Sequence, residues 1–413
     1  MRHVRLRPLA VLRNSAFRRL WAAQAVSLMG DWFTLIALAV VVSRSAGGSG
    51  FAVGGLVLTQ LLPTALVGPF SGVLADRFER RRLLIVSDAI RAGLVLLLIP
   101  AVHSGALWSV YTLAVLHFTV ATVFEPARSA LVPRLVTAAE LLAATTLTSV
   151  TWSVMTAVGG IIGGSLLSLL GVTTAFALDS LTFAVSAALI ATIGPAGPRP
   201  EPRAGEATGP GFRDGVRYLR AHSVTAAMLL VKSIAGLGLV DIFLVIYATR
   251  LFPVGEGGAA SMGLLWGCFG AGALLGPTLL NLANDGSVRR MRRLVVVGSA
   301  LIVSGLGLLG LAPTLAAAGL AIVLRGMGGS TNWTYSTVIL QKVVPDGLRG
   351  RLLAMDLACL TLTAAFGSLA WGLALDRVGV RPVVLFVAGL CGLATLGWAA
   401  SLRWMERAEA TRA

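Results

Sequence analysis

The chain has 413 residues, 56% hydrophobic and only 13% charged, with a mean hydropathy of +0.85. Soluble proteins run at about half apolar and about a quarter charged, so this composition excludes a soluble multidomain enzyme. It also excludes a single-anchor protein, because apolar runs follow one another from Leu20 almost to the C-terminus. The formal charge of +16 would point to nucleic acid in a soluble protein, but in a membrane chain the position of each Lys and Arg has to be read before their sum.

The basic N-terminus leads into an apolar run that passes Val40, longer than a signal peptide's apolar core and without a small-residue cleavage pattern, so it reads as a retained first helix. At about 20 apolar residues per crossing, twelve spans are expected. The first six are Leu20 to Val42, Ala52 to Leu74, Leu83 to Val102, Ala106 to Phe124, Leu141 to Leu170 and Val172 to Ile193. The second six are Ser223 to Thr249, Ala259 to Leu282, Leu294 to Ala312, Leu315 to Leu340, Leu352 to Leu375 and Val380 to Leu402. Between them, 194–222 carries Pro195, Pro198, Pro200, Pro202 and Pro210 among Arg, Glu and Gly, the composition of an exposed linker. The expected organisation is an all-α integral membrane protein, with six-helix bundles at 1–193 and 223–413. It leaves no room for a soluble catalytic domain.

With the N-terminus in the cytoplasm, 27 of the 34 basic residues fall in cytoplasmic segments. Four lie outside (Arg44, Arg250, Arg377, Arg381) and three within spans (Arg91, Lys232, Arg325). This bias follows the positive-inside rule, places both termini in the cytoplasm, and accounts for the charge without nucleic acid. Cys268, Cys359 and Cys391 lie in apolar runs without pairing or metal spacing. Neither lysine, Lys232 or Lys342, belongs to a GxxxxGK[ST] phosphate loop, so a gradient rather than ATP is the expected energy source. The two halves also match in order. Gly68-Pro69 and Gly276-Pro277, Leu116-His117 and Leu324-Arg325, and Gly171-Val172 and Gly379-Val380 are each 208 residues apart. Asp31 and Asp241 are 210 apart, and Val132-Pro133 and Val344-Pro345 are 212 apart. Together these point to a parallel repeat with a substrate site near the midplane between the halves.

The loop after the second span reads Gly72-Val-Leu-Ala-Asp76-Arg77-Phe-Glu-Arg80-Arg81-Arg82. It resembles the GxLADRxxRR signature of the major facilitator superfamily. Gly30-Asp31-Trp32-Phe33, Gln60 to Pro63, Ser87-Asp88 with Arg91, and Pro126-Ala127-Arg128 with Val132-Pro133 resemble the branch of that superfamily containing the enterobactin exporter and the macrolide efflux proteins. The resemblance covers essentially the whole chain. It implies twelve helices, alternating access, and export of a small organic molecule in exchange for protons. The chain also departs from the family. Helix 5 has Gly159-Gly160-Ile-Ile-Gly163-Gly164 where the antiporter motif has a proline at the second position, and these glycines equally suit close helix packing. Helix 4 has His117 in place of the family's arginine, whereas helix 10 keeps Arg325-Gly326.

Charge within a bilayer costs at least about 2.5 to 3.5 kcal/mol near a helix centre, so each instance needs a partner, a cavity or a proton. Asp31, about eleven residues into helix 1, reads as a proton- or substrate-carrying carboxyl or as a structural hydrogen bond. Asp241 holds the corresponding place in helix 7. His117 offers proton transfer or polar packing, while Arg325, which does not deprotonate, pairs with an acid or holds an anionic group. Asp88 and Arg91, i and i+3 on helix 3, are expected to neutralise each other, and Lys232 to snorkel. Glu125 reads as a helix-end acid, and Asp179 has no assigned role. The resemblance implies gating for Gly72, Asp76, Arg77 and Arg81, with Arg128 and Asp356 as possible members of the network. Trp32, Gln60, Trp152, Trp266, Arg325, Asn332, Trp333 and Tyr335 are expected to shape an apolar pocket with a few polar anchors.

The expected function is proton-coupled export of drugs, siderophores or secondary metabolites by a monomer in a bacterial cytoplasmic membrane, with no cofactor and no metal. Uptake or lipid movement by the same fold is the nearest rival. A lipid-acting membrane enzyme would need convergent acids and histidines, whereas the four histidines are scattered. A transport-inactive sensor or scaffold would leave Asp31 indifferent.

Overall fold

The computed structural model describes residues 8–137, 140–194, 212–238 and 240–410, and among these the regular structure is entirely helical. Helix α1 (Ser15–Ser45) begins where the Asn14 side chain accepts from the Ala16 and Phe17 amides at 3.1 and 3.2 Å, giving partners to first-turn donors that have none within the helix. It is followed by α2 (Gly50–Arg77), α3 (Arg80–His103) and α4 (Leu107–Leu135). Before the next run, the Thr137 amide and hydroxyl both donate to Glu140 at 3.0 and 2.9 Å, an arrangement that holds the Glu140 carboxyl below the usual range. The helical run 141–191 contains Gly171 at φ 79°, a left-handed value glycine adopts at little cost, which divides it into α5 (141–170) and α6 (172–191).

The C-terminal helices are α7 (Ser223–Leu251), α8 (Ala259–Leu280), α9 (Val288–Leu311), α10 (Leu315–Val343), α11 (Asp346–Val378) and α12 (Val380–Ala410). Gly379, at φ 95°, separates the last two. Among the described residues, ten segments meet the length and hydropathy of a membrane crossing. The run 141–191 counts once among them although its 51 residues exceed two crossings of about 20 residues. Dividing it at Gly171 and adding α10 gives twelve helices among the described residues, close to the expected spans. Two differences have physical causes. Helix α7 stops at Leu237 and resumes at Asp241, because Gly236 and Gly238 lower helix propensity there and the freed carbonyls find side-chain partners described below. The end of the expected linker, Phe212–Ala221, is a short amphipathic helix with an Asp214–Arg217 pair at 3.3 Å, while 195–211 lies outside the described residues.

Two compact units are present. The first comprises Met1–Gly48, Leu66–Arg199 and Tyr247–Gly267, and the second Ser49–Ala65, Pro200–Ile246 and Cys268–Ala413. The start of α2 therefore groups with C-terminal helices, and the start of α8 with N-terminal ones. The first unit packs Phe17, Leu20, Leu84, Leu131 and Ile190 into one core, and the second packs Met228, Val295, Ile339, Leu340 and Met405 into another. In the first unit α5 and α8 meet through glycines. A methyl at Gly263 would strike the Gly160 carbonyl and Gly164 Cα, and one at Gly164 would strike the Ala259 carbonyl. Helices in lipid associate by such small-residue contact because apolar burial gives no drive between them. Gly263→Val should therefore cost about 1 to 3 kcal/mol by overpacking, read as a lower unfolding midpoint of the detergent-solubilised protein, whereas Gly307→Ala, at an open position, should leave the midpoint unchanged.

Candidate functional site

In the first unit, α1, α3, α4 and α6 bring polar side chains together inside an apolar bundle. Ser27 and Asp31 are one turn apart on α1, Asp88 and Arg91 share a face of α3, and Asp179, Phe183 and Ser186 recur along one face of α6. The Arg91 guanidinium is the centre of this group. Its Nη2 donates to Asp88 Oδ1 at 2.5 Å and to Ser27 Oγ at 3.3 Å, and its Nη1 reaches Asp31 Oδ1 at 3.5 Å. Phe183 and Phe124 flank it with ring centroids 4.1 and 4.7 Å from the guanidinium carbon. Asp88 is fully buried and also accepts from Ser186 Oγ at 2.6 Å.

Asp31 differs from its neighbours in being open. Its side chain is 35% exposed, against 2% for Arg91 and 0% for Asp88. His117 Nε2 stands 4.0 Å from Asp31 Oδ1, beyond a hydrogen bond but within ion-pair range, and its ring packs against Phe118 and Phe183. Asp179 is buried behind α1, accepting from Thr182 Oγ1 at 3.1 Å. Gly30 makes this possible, since a methyl there would overlap both Asp179 and Thr182. One guanidinium thus serves Asp88 and Asp31, with the third carboxyl of Asp179 beside them. Arg91 and Asp88 pair as expected from their spacing. The reach of Arg91 to Asp31 was not anticipated, although Ser27 and Asp31 at i and i+4 opposite a mid-span arginine was a readable signal.

The second unit has its own buried charges. Lys232 on α7 does not snorkel. Its Nζ donates to Asp356 Oδ2 on α11 at 2.5 Å and to Thr337 Oγ1 on α10 at 2.9 Å, and lies 4.6 Å from the Trp333 ring centroid. Asp356, 1% exposed and well inside α11, is therefore held by this lysine rather than at a helix end. Among the described residues, Arg325 on α10 pairs with no acid in a hydrogen bond. Its Nε and Nη2 donate to the Gly238 carbonyl at 3.2 and 3.0 Å, and Trp371 Nε1 on α11 donates to the Leu237 carbonyl at 2.8 Å. These two side chains satisfy carbonyls freed by the break in α7. Asp241 opens the resumed segment, where a carboxylate suits a helix N-terminus.

The aromatic and amide residues are placed differently from one another. Trp32 and Trp266 meet edge to face with centroids 5.0 Å apart, the Trp32 ring seated over Gly159. Trp152 and Trp333 are exposed, Gln60 is half-buried, and Asn332 donates to Ser299 at 2.9 Å. Tyr335 is buried in the second core. Of the gating residues, Arg77 is exposed at the end of α2, Gly72 lies within that helix, and the side chain of Asp76 lies outside the described residues. Arg81 donates to the Ile190 and Ala191 carbonyls, capping α6, while Arg128 holds Glu125 one turn earlier on α4. Among the described residues no group of three or more His, Cys, Asp or Glu is arranged to hold a metal.

The chain is a transporter of the major facilitator superfamily, shown by the match of a family model over nearly its whole length. The family model described as transmembrane secretion effector matches residues 6–412, and the chain belongs to that family; it is not an enzyme. It is 26% identical over 385 residues to macrolide efflux protein A of Streptococcus pyogenes, covering 88% of this chain and 90% of that one. It is likewise 26% identical over 371 residues to BacE of Bacillus subtilis, named as a bacilysin exporter, covering 89% and 90%. The similarity to the uncharacterized MFS-type transporter YfiS of Bacillus subtilis, 28% over 171 residues, spans 41% of this chain and 40% of that relative. Among solved structures, a variant of the nucleoside transporter NupG superposes with a TM-score of 0.76 at 12% identity, covering 93% of this chain and 99% of that one. A bacterial homologue of the iron transporter ferroportin gives 0.71 at 14%, covering 94% and 99%.

Removing one member of a buried ion pair strands the other at a cost of about 3 to 5 kcal/mol, whereas replacing both by apolar residues is often neutral. Lys232→Met should accordingly lower the unfolding midpoint of the purified transporter strongly. The double change Lys232→Met with Asp356→Leu should recover most of that loss. Losses that simply add would show that the two side chains do not interact.

Proposed function

We propose that this transporter is a proton-coupled exporter of small amphipathic organic molecules, working by alternating access in the bacterial cytoplasmic membrane. In this reading it is a monomer whose termini both face the cytoplasm. Its six-helix bundles, 1–193 and 223–413, are parallel repeats, consistent with cores built in both units and with Gly171 and Gly379 breaking corresponding helices. The relatives named for efflux favour export over uptake.

The observation that carries the coupling is the partly open Asp31 beside a buried guanidinium already engaged by Asp88. One positive charge cannot balance the three carboxylates of Asp31, Asp88 and Asp179 in an apolar bundle, so a proton or a cationic group completes the balance. Asp31 is the member with a partly exposed side chain, and it is the proposed site of that exchange, with His117 beside it to receive or return a proton. Asp241 is the corresponding proposed group in the second unit. A proton moving down the membrane potential supplies about 2.3 kcal/mol per 100 mV, enough to sustain a substantial outward gradient of substrate. The Trp32–Trp266 pair next to Asp31 suits an apolar or aromatic face on that substrate. Gln60, Trp152, Arg325, Asn332, Trp333 and Tyr335 are proposed as further contacts, and Gly72, Asp76, Arg77, Arg81, Arg128 and Asp356 as gating residues.

Inverted membrane vesicles carrying a proton gradient test the reading. Siderophores, macrolides, tetracyclines and lipophilic cations are added in turn, and proton release is followed for the native protein and Asp31→Asn. Compound-dependent release that falls at least about tenfold in Asp31→Asn is the expected result. Release that persists in that variant moves the coupling to Asp241 or His117. Compound accumulation with the opposite sign makes the protein an importer.

A further inference from the structure

Helix α11 ends in Gly372-Leu-Ala-Leu-Asp376-Arg377, and α2 ends in Gly72-Val-Leu-Ala-Asp76-Arg77. Both are Gly-x3-Asp-Arg, but the two helices run in opposite directions between the ends of the bundle. At the end of α11 the second unit shows what this arrangement does. Asp376 turns to the first turn of α2, where its Oδ1 accepts from the Gly50 amide at 2.7 Å and its Oδ2 from the Phe51 amide at 3.0 Å and the Ser49 hydroxyl at 2.8 Å. The same Ser49 Oγ accepts from the Ala52 amide at 3.3 Å. Three first-turn amides that no residue within the helix can satisfy are thus given acceptors, two of them by a carboxylate on a different helix, where negative charge also suits the helix dipole.

Glycines bring the backbones close enough for this. A methyl at Gly372 would strike the Gly50 carbonyl, one at Gly54 the Ser368 carbonyl, and one at Gly50 the Gly372 carbonyl. The contact joins a helix from each half of the chain, and it lies at the helix ends, where Phe51 and Asp376 are exposed and Ser49 is half-buried, rather than deep in the core. A charge-assisted cap at an exposed helix end is strong enough to bias a conformational equilibrium and weak enough to be released.

We propose that Asp376 is a positioning residue for transport: it latches the end of α11 to the start of α2 in one of the two alternating states, and its release is a required step of the cycle. The proposal rests on the alternating-access reading and is independent of which group carries the proton or which compound is moved.

The test uses full-length protein in lipid nanodiscs, with Cys268, Cys359 and Cys391 replaced by alanine and spin labels at Phe51→Cys and Val378→Cys. Electron–electron distance measurements read the populations with α2 and α11 ends together and apart, alongside transport in vesicles. The unmodified latch should give two populations with the short distance dominant. Asp376→Ala should shift their ratio toward the long distance by roughly tenfold, the scale of one charged cap. Asp376→Asn, which keeps an acceptor but not the charge, should shift it partway, and Gly54→Val should deplete the short distance by steric means alone. Arg377→Gln, beside the latch but outside its hydrogen bonds, should change nothing. Two populations that Asp376→Asn and Asp376→Ala leave at the starting ratio, in monodisperse protein with unchanged transport, overturn the latch while leaving alternating access in place. A single distance unmoved in every variant and with every transported compound overturns both.

Discussion

A guanidinium buried in an apolar bundle is the constraint around which the first unit is built. Arg91 has almost no contact with solvent, so its charge has to be met by acids and its face by aromatic rings, and α1, α3, α4 and α6 all contribute. Asp88 gives the close, fully buried partner, and Ser186 fixes the second oxygen of that carboxyl. Those bonds leave Asp31 at 3.5 Å, a weaker and more exposed partner. The pair of charges formed by Arg91 and Asp88 fixes the arginine independently of the longer contact to Asp31.

The second unit meets the same constraint with different parts. Lys232 and Asp356 neutralise each other across α7 and α11, with Thr337 and the Trp333 ring completing the lysine's surroundings. Arg325 is used otherwise. Its fork closes on a single carbonyl at the break in α7, and Trp371 takes the neighbouring one. An unpaired carbonyl within a bilayer costs several kcal/mol, so a broken helix survives there only where side chains of this kind are aimed at the break. The cation and the indole hold open a discontinuity that Gly238 and its neighbours make affordable in conformational terms.

Much of the fold was legible because membrane helices are written in long apolar runs, and Gly171 and Gly379 marked their boundaries. The pairing of Asp88 with Arg91 was legible too, from their spacing on one helix. The partners of Lys232 and Arg325 were not, because each lies on another helix more than 80 positions away and nothing in the local pattern encodes that contact. The break in α7 was hidden for a related reason. Ser223 to Thr249 is apolar enough to read as one span, and the side chains that stabilise the interruption come from α10 and α11. Asp356, which the sequence reading places near the gating network, also bonds a lysine that sequence alone left without a partner.

The contacts fall into two energetic classes, and their placement bears on how such a protein moves. The buried pairs, Arg91–Asp88 within α3 and Lys232–Asp356 between α7 and α11, each lie in one chain half, and separating them would strand charges in apolar surroundings at a cost of several kcal/mol. Two polar contacts that join residues from different halves are more exposed. Arg44 meets Glu256 at 2.8 Å with side chains 49% and 36% exposed, and Asp376 meets the first turn of α2 at its exposed start. An exposed ion pair contributes about 0 to 1 kcal/mol because water replaces each partner readily. Glycine seats between α5 and α8 and between α2 and α11 add close packing without charge. The buried pairs are therefore the costly contacts to break, and the exposed ones are those that water replaces most cheaply.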